Sequence, residues 1–207
     1  MNNDLYLNGR KLPVMEEFYS LQGEGFNTGK PAFFLRIGGC DIGCAWCDSK
    51  LSWSADHYPL ADVDEIVDRI RSYPAKALVV TGGEPGLYPM DYLCDKVRES
   101  GILAYLETSG AYPLSGSWDW ICLSPKIQNP PHPANYEKAN ELKVIIESPG
   151  DFHWAEENAR RVNSSCHLFL QPEWSRRNRI LEDVIAYICN NPKWRLSLQS
   201  HKYIGIP

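Results

Sequence analysis

The sequence lacks long apolar runs, an excess of positive charge and any low-complexity segment. No stretch approaches the about 18 apolar residues that span a bilayer, which argues against a membrane-spanning helix. The 21 Lys and Arg residues are outnumbered by 26 Asp and Glu residues, for a formal net charge of −5. This charge disfavours a nucleic-acid partner, which usually meets a basic patch. Residues 1–10 contain no apolar stretch typical of a signal peptide, and we expect a cytoplasmic protein with reduced thiols.

The length of 207 residues predicts a single domain over residues 1–207. A chain of this size buries roughly 70% of the surface that its unfolded form exposes, so its core needs no disulfides. The sequence has no internal repeat with matching residues. Its seven cysteines therefore call for an explanation other than structural cross-links.

Three of the cysteines lie close together at Cys40, Cys44 and Cys47, in a C-x3-C-x2-C spacing. Three neighbouring thiolates can hold three irons of a four-iron cluster and leave the fourth iron open to a small molecule. Trp46 would then cover the cluster and limit its contact with solvent. Two alternatives stay open: a zinc ion with a further ligand such as His57, or reduced thiols without a metal.

The other four cysteines are isolated within apolar segments. No second pair of ligands with zinc-type spacing accompanies the first three cysteines. Isolated thiols are usually small core residues, and we predict that role for all four. They are Cys94, Cys122, Cys166 and Cys189.

Hydrophobic periodicity predicts strands that alternate with helices, which indicates an α/β protein with a parallel sheet and helical crossovers. Strands are predicted at 32–37, 77–80, 102–106, 121–123, 141–146, 167–170 and 194–198. Helices are predicted at 63–70, 90–100, 151–161 and 180–188. Asp62, three residues before Glu65, is typical of a helix N-cap.

Clusters of glycine and polar residues follow the ends of these strands. In a βα barrel, the loops at the carboxyl ends of the strands converge on one functional rim. Six or seven visible strands, rather than eight, predict an open or incomplete barrel with its site at that rim. A doubly wound open sheet is the alternative, and its ligand site would also lie at the carboxyl strand ends.

A glycine-rich turn, Thr81-Gly82-Gly83-Glu84-Pro85, follows one of the predicted strands. Glycine lets the backbone approach a ligand closely. The backbone carbonyls and the Glu84 carboxylate are acceptors that suit a cationic amine. A Gly-Gly turn by itself is also a common connection, so the turn gains its meaning from the cysteines that precede it.

The cysteine spacing, the aromatic residue before the last cysteine and the later GGEP turn together resemble the radical S-adenosylmethionine (SAM) superfamily. Within it, the chain from about Phe18 to its last residue resembles the 7-carboxy-7-deazaguanine synthases. The segments that carry this resemblance are SLQGEG at 20–25, CDS at 47–49, ETSG at 107–110, SPK at 124–126, QPE at 171–173 and the terminal residues 201–207. The resemblance implies an incomplete (βα)6-type partial TIM barrel.

The resemblance also implies the roles of individual residues. The cluster ligands would be Cys40, Cys44 and Cys47, with SAM on the open iron. The SAM-binding positions would be Gly82, Gly83, Glu84, Gly110, Ser124, Pro125, Lys126, Gln171, Pro172 and Glu173. The substrate-binding positions would be Leu21, Gln22, Gly23, Glu24, Arg36, Thr108, His201 and Pro207. The hydroxyl of Ser49 would bind Mg²⁺, which accepts few protein oxygens beside water and an anionic substrate.

Several of these residues also have an ordinary structural interpretation. Arg36 suits an ion pair at a strand end, since such pairs are common. Ser49 suits a turn cap, and Glu24 and Lys126 suit a solvated surface. His201 suits a satisfied core position.

The implied reaction converts 6-carboxy-5,6,7,8-tetrahydropterin into 7-carboxy-7-deazaguanine, a queuosine precursor, with loss of ammonia. An adenosyl radical would take hydrogen from carbon 6 of the pterin, and a flavodoxin or ferredoxin would reduce the cluster. The resemblance further implies a homodimer. Competing functions are an activase that makes a glycyl radical on a partner protein and a non-enzymatic zinc or iron–sulfur module. Residues 112–120 and 126–136 are candidate lids.

Overall fold

The computed structural model describes residues 6–207. Residues 1–5, part of the predicted domain and of the segment without signal-peptide character, lie outside the described residues. The described part contains one nine-stranded sheet in the order β3-β1-β2-β4-β5-β6-β7-β8-β9. Its strands are β1 (Lys11–Leu21), β2 (Pro31–Ile37), β3 (Leu60–Asp62), β4 (Ala77–Gly82), β5 (Leu103–Thr108), β6 (Trp120–Leu123), β7 (Glu141–Ile146), β8 (His167–Pro172) and β9 (Trp194–Leu196).

Helices connect most of the strands. The α-helices are α1 (Val63–Arg71), α2 (Asp91–Glu99), α3 (Pro133–Tyr136), α4 (Asp151–Ala159), α5 (Arg177–Asn190) and α6 (Ser200–Ile204). Short 3-10 helices lie at Leu7–Gly9, Lys50–Trp53, Ala55–His57 and Pro85–Leu87. None of the helices within residues 6–207 is both long enough and apolar enough to cross a membrane.

Every strand pair from β2 to β9 is parallel, whereas β1 runs antiparallel to both β2 and β3. The predicted parallel sheet with helical crossovers is therefore confirmed, and the sheet is open rather than closed. The sequence prediction missed β1 and β3, because Pro13, Glu16 and Glu17 interrupt the apolar pattern of β1. It also extended the last strand to Leu198, whereas β9 ends at Leu196.

The helices α1, α2, α4 and α5 pack on one face of the sheet, which favours the incomplete barrel over the doubly wound alternative. Leu35, Val80 and Leu106 face α1 and α2 in one buried cluster. A second cluster joins Leu142 and Leu170 to α4 and α5. Burying these apolar side chains stabilises the fold by about 1.5–3 kcal/mol each. The other face of the sheet is left for a cavity.

Two details of the helices test the sequence patterns. Asp62 caps α1, since its carboxylate accepts from the backbone N of Asp64 (2.9 Å). On α5, Ile180 and Val184 are buried while Ile185 and Cys189 are exposed. The prediction of a buried Cys189 is wrong, because α5 packs against the sheet on one side only.

The remaining isolated cysteines follow the prediction to different degrees. Cys94 and Cys122 are buried, as predicted. Cys166 is only half-buried, at the position before β8. The predicted core role is therefore confirmed for Cys94 and Cys122 and only in part for Cys166.

The two candidate lids pack against each other through Asn135. Its side-chain amide donates to the carbonyls of Gly110 and Tyr112, both at 2.7 Å. The Tyr112 hydroxyl in turn donates to Asp41, inside the cysteine loop. Both segments are thereby joined to the loop that holds the three cysteines, and their movement on ligand binding stays a prediction.

Candidate active site

The open face of the sheet surrounds a cavity of about 810 Å³. This volume is typical of a small-molecule site. Most residues that the sequence singled out line it, although they are far apart in the chain. They are Leu21, Gln22, Gly23, Glu24, Arg36, Cys40, Cys44, Cys47, Ser49, Gly82, Gly83, Glu84, Thr108, Ser124, Lys126, Gln171, His201 and Pro207.

Four of the singled-out residues do not line this cavity. Pro172 and Glu173 border a smaller adjoining pocket of about 200 Å³. The Glu173 carboxylate accepts from the backbone N of Ser175 (2.9 Å) and of Arg176 (3.0 Å), so it caps the turn before α5. The other two, Gly110 and Pro125, line neither pocket.

The three clustered cysteines lie on the loop after β2, at the cavity wall. The loop is held by backbone hydrogen bonds, including Cys40 N to Trp53 O (3.0 Å) and Cys47 N to Cys44 O (3.1 Å). Burial raises the pKa of Cys40 to about 11 and also raises the pKa of Cys44. Without a metal these thiols keep their protons, and a bound metal would release them.

The donor set of this loop fits a cluster with three thiolate ligands. In residues 6–207 no three or more His, Cys, Asp or Glu side chains are arranged to hold a metal ion. His57, the candidate fourth ligand of a zinc site, is exposed and lies outside the cavity. Within residues 6–207 the three thiols line the cavity without a fourth cysteine beside them, and their assignment to an open-iron cluster stays a prediction.

The glycine turn after β4 packs directly against the start of the cysteine loop. The backbone N of Glu84 donates to the carbonyl of Gly39 (2.8 Å). A Cβ at Gly83 would lie only 2.1 Å from that carbonyl oxygen, so only glycine fits. Gly82 has a φ of +116°, a conformation that also favours glycine. The two motifs therefore form one continuous wall of the cavity.

The Glu84 carboxylate is buried and fully hydrogen-bonded. One oxygen accepts from Gly86 N (2.8 Å) and Thr108 Oγ1 (2.5 Å). The other accepts from the backbone N (2.8 Å) and the hydroxyl of Ser109. A carboxylate has about four acceptor positions, and these four donors occupy them. The Glu84 carboxylate therefore holds the turn in place. The turn carbonyls and the Glu84 carboxylate border the cavity, and their contact with a bound amine stays a prediction.

Lys126 lies over the indole of Trp46, with Nζ 5.4 Å from the ring centroid. Its ammonium donates to the carbonyl (2.6 Å) and the hydroxyl (2.7 Å) of Ser124. Burial lowers the pKa of Lys126, opposed by the neighbouring Cys44. The cation and the aromatic ring thus both border the cysteine loop, with Lys126 inside the cavity rather than on the surface.

A buried lysine that the sequence reasoning missed, Lys143, lines the cavity with a side chain only 5% exposed, and this buried part is called the cavity floor. Its Nζ is 2.6 Å from Glu24 Oε2 and 2.9 Å from Glu107 Oε2. Burial raises the pKa of Glu24, but the charge and hydrogen bond of Lys143 outweigh it and lower that pKa to about 2. Two carboxylates therefore share one cation at the base of the cavity.

The side-chain amides of Gln22 and Gln199 add hydrogen bonds to the two carboxylates that pair with Lys143. Gln22 Nε2 donates to Glu107 Oε1 (3.2 Å), and its own oxygen accepts from the backbone N of Glu24 (3.2 Å). Gln199 Nε2 donates to Glu24 Oε1 (2.8 Å) and to Asp48 Oδ2 (3.3 Å). Asp48 follows Cys47 in the sequence, so the floor of the cavity and the cysteine loop are connected.

A signal for part of this network was present in the sequence. Glu141 and Lys143 alternate with Leu142 and Val144 in β7, and residues two apart share one face of a strand. This alternation predicts a polar inner face for an otherwise apolar strand. Glu107 stands likewise in β5, between the buried Leu106 and Thr108. The pairing of these charges across strands had no local signal.

Arg36 occupies the cavity wall beside a second missed residue, Glu16. The guanidinium Nε is 2.5 Å from Glu16 Oε1, and the two residues are directly paired between β1 and β2. The register shifts between Val14 and Glu16, and a bulge of this kind reverses which side chains face the cavity. Val14 consequently packs in the outer core, while Glu16 faces inward.

Ser49, His201 and Pro207 also line the cavity. Ser49 precedes the 3-10 helix Lys50–Trp53, and its carbonyl accepts from Ser52 Oγ (2.6 Å). His201 packs so tightly on Gly23 that a Cβ there would lie 2.1 Å from its Nδ1. Burial lowers the pKa of His201. The carbonyl of Pro207 accepts from Ser20 Oγ at 3.5 Å.

Comparisons with known proteins find the same family that the sequence motifs resemble. The model of the radical SAM superfamily matches residues 35–124. A 7-carboxy-7-deazaguanine synthase from Flavobacterium psychrophilum is 52% identical, covering 96% of this chain and 94% of its own. The synthase of the same name from Synechocystis is 47% identical over 94% of this chain and 93% of its own. A crystal structure of QueE from Escherichia coli has a TM-score of 0.84 and 29% identity, covering 97% of this chain and 99% of that one.

Proposed function

The chain belongs to the 7-carboxy-7-deazaguanine synthase family of the radical SAM superfamily, and from this premise we propose how its residues bind and orient the reacting molecules. The enzyme converts 6-carboxy-5,6,7,8-tetrahydropterin into 7-carboxy-7-deazaguanine with loss of ammonia. This reaction supplies the precursor of queuosine.

The enzyme uses a [4Fe–4S] cluster and SAM. We assign the three thiolate ligands to Cys40, Cys44 and Cys47, which border the cavity on one loop. When bound, the cluster and SAM would supply the radical chemistry that acts at carbon 6 of the pterin. The carbonyls of Gly82 and Gly83 would hold the SAM amine, since this turn forms the wall beside the cysteine loop.

The single observation that carries the substrate proposal is the charged floor around Lys143. A pterin presents a row of N–H donors and one carbonyl along its pyrimidine edge. Glu107 and Glu24 supply acceptors for such donors, and Gln22 supplies both a donor and an acceptor. These groups lie in one cavity with the cluster cysteines. The floor thereby fixes which edge of the ring points away from the radical.

The carboxylate of the substrate requires a cation on the opposite side of the ring. Arg36 offers a planar guanidinium at the cavity wall, which now contacts Glu16. We further assign a Mg²⁺ ion to the hydroxyl of Ser49, which lines the same cavity. A magnesium ion there would bind the substrate carboxylate and retain several waters.

The function is tested with anaerobically reconstituted enzyme, dithionite, SAM, Mg²⁺ and the carboxytetrahydropterin. We expect the ultraviolet absorbance of a deazapurine to appear and ammonia to be released in equal amount. A chelator should slow the reaction and added Mg²⁺ should restore it. An intact cluster that yields no deazapurine would contradict the function, and indifference to the chelator would contradict the magnesium site.

Substitution of Arg36 by methionine should raise the KM for the pterin about 10- to 100-fold, since a charged hydrogen bond contributes about 1.5–3 kcal/mol. The affinity for SAM should stay unchanged. Arg69→Met is the matched control. Arg69 also pairs with a glutamate of β1, Glu17 (2.7 Å), but this ion pair lies outside the cavity. An equal rise of KM in both variants would contradict a specific role of Arg36.

We also propose a flavodoxin or ferredoxin as the reductant and a homodimer as the working assembly. The cysteine loop reaches the surface, where Gly43, Ala45, Lys50 and Leu51 are exposed. A reductant docked over these residues would lie next to the cluster ligands. Spectroscopic reduction of the cluster by purified flavodoxin tests the first assignment, and light scattering tests the second.

A further inference from the structure

The buried carboxylate of Glu141 has no place in the binding scheme above. It begins β7 and faces the barrel interior, below Lys143 on the same strand, with the residue only 2% exposed. Its Oε2 accepts from the backbone N of Phe26 (3.1 Å) and from Nε1 of Trp120 (3.2 Å). Its Oε1 has no hydrogen-bond partner within residues 6–207. A buried polar atom without a partner is costly, so this carboxylate is not explained by stability.

The contacts of Glu141 are with the segment that carries Glu24. Gly25 has a φ of +64°, and a Cβ there would lie 1.9 Å from Glu141 Oε1. The backbone of the segment therefore rests directly on this carboxylate. On the other side, the Gly23 carbonyl accepts from the backbone N and the hydroxyl of Ser200, both at 2.9 Å. Glu24 stands between these two anchoring points.

The aromatic ring of Phe26 strengthens the same anchor. It stacks on the indole of Trp120 at 4.7 Å and on the ring of His167 at 4.5 Å. Both rings belong to the first residues of β6 and β8, the strands on either side of β7. Backbone and side chain of Phe26 are thus fixed to three neighbouring strands at their N-terminal ends.

We propose that Glu141 is a positioning residue for substrate binding, which holds the Gly23–Phe26 segment so that Glu24 meets Lys143. This inference rests on the proposed role of the Glu24–Lys143 pair in binding the pterin. Glu24 Oε2 lies 2.6 Å from Lys143 Nζ, and a displacement of about 1 Å can cost about 100-fold in rate. Burial also raises the pKa of Glu141 to about 7, so it competes less with Glu24 for the single cation.

The experiment compares Glu141→Leu, Glu141→Gln and the control Glu182→Leu, which makes the same change at an exposed position of α5. Glutamine keeps an oxygen that can accept from Phe26 and Trp120, whereas leucine leaves both donors unpaired. We expect Glu141→Leu to raise the pterin KM at least about tenfold. It should also increase the 5′-deoxyadenosine formed per product, with SAM affinity unchanged. Glu141→Gln should restore most of the substrate affinity, and the control should match the wild type.

The outcomes separate this inference from the proposed function. If the wild-type enzyme forms no deazapurine, the proposed function fails. If it does and Glu141→Leu folds with an unchanged KM, or Glu141→Gln loses as much as leucine, the positioning role is overturned. If Glu141→Leu does not fold, Gly25→Ala decides: its Cβ would collide with Glu141 Oε1, and a normal KM in that variant overturns the inference.

Discussion

Substitution of Cys44 by serine should reduce product formation to the background of the assay. Cys44 is one of three cysteines on the loop after β2 and is buried at the cavity wall. A hydroxyl is a much poorer ligand for iron than a thiolate, so the cluster should not assemble with a stable third protein ligand. The measurements are the visible absorbance, the iron content and the deazapurine formed after anaerobic reconstitution.

Cys189→Ser is the matched control for this experiment. Cys189 is exposed on α5 and lies outside both pockets. Its substitution should leave absorbance, iron content and turnover at the wild-type level. A Cys44→Ser enzyme that retains a full cluster and normal turnover would contradict the assignment of the three ligands.

Substitution of Lys143 by methionine should destabilise the protein by about 3–5 kcal/mol, because removing one partner of a buried ion pair leaves charge uncompensated. Here two carboxylates, Glu24 and Glu107, lose the same cation. The pterin KM should also rise sharply, since the floor of the cavity loses its fixed geometry. Urea unfolding measures the first effect and steady-state kinetics the second.

The pH dependence of this destabilisation has a defined sign. In the wild type the pKa of Glu24 is lowered from 4.5 to about 2, so its contribution to stability is complete above the unfolded pKa and is lost as the pH falls toward 2. The difference in unfolding free energy between wild type and Lys143→Met should therefore shrink below about pH 4.5. A constant difference across this range would contradict the coupling.

A double variant, Lys143→Met with Glu107→Gln, controls for the loss of packing. It removes the cation together with one of its two carboxylates, so fewer buried charges are left unpaired. Stability should recover in part relative to Lys143→Met alone, while substrate binding should not. If the double variant is as unstable as the single one, loss of the lysine stem rather than charge imbalance explains the effect.

The sequence alone predicted those features that depend on neighbouring residues. The spacing of Cys40, Cys44 and Cys47 places three thiols on one loop whatever the rest of the chain does. The stripe of Val63, Ile66, Val67 and Ile70 predicted α1, and all four are buried. Both signals lie within one loop or one helix, so a few residues contain all of the information.

Only the tertiary structure determined which charges meet across the barrel. Glu24 and Lys143 are 119 positions apart, and nothing local in either segment indicates the other. The bulge that turns Glu16 toward Arg36 depends on the pairing of β1 with β2. The apolar pattern of the sequence did not predict β1. The physical reason is that an ion pair in a low-dielectric interior can stabilise or destabilise the fold, depending on how well its charges are paired. Whether the pair is buried is set by the packing of all strands together. The type of chemistry could therefore be predicted from the sequence, whereas the binding geometry required the fold.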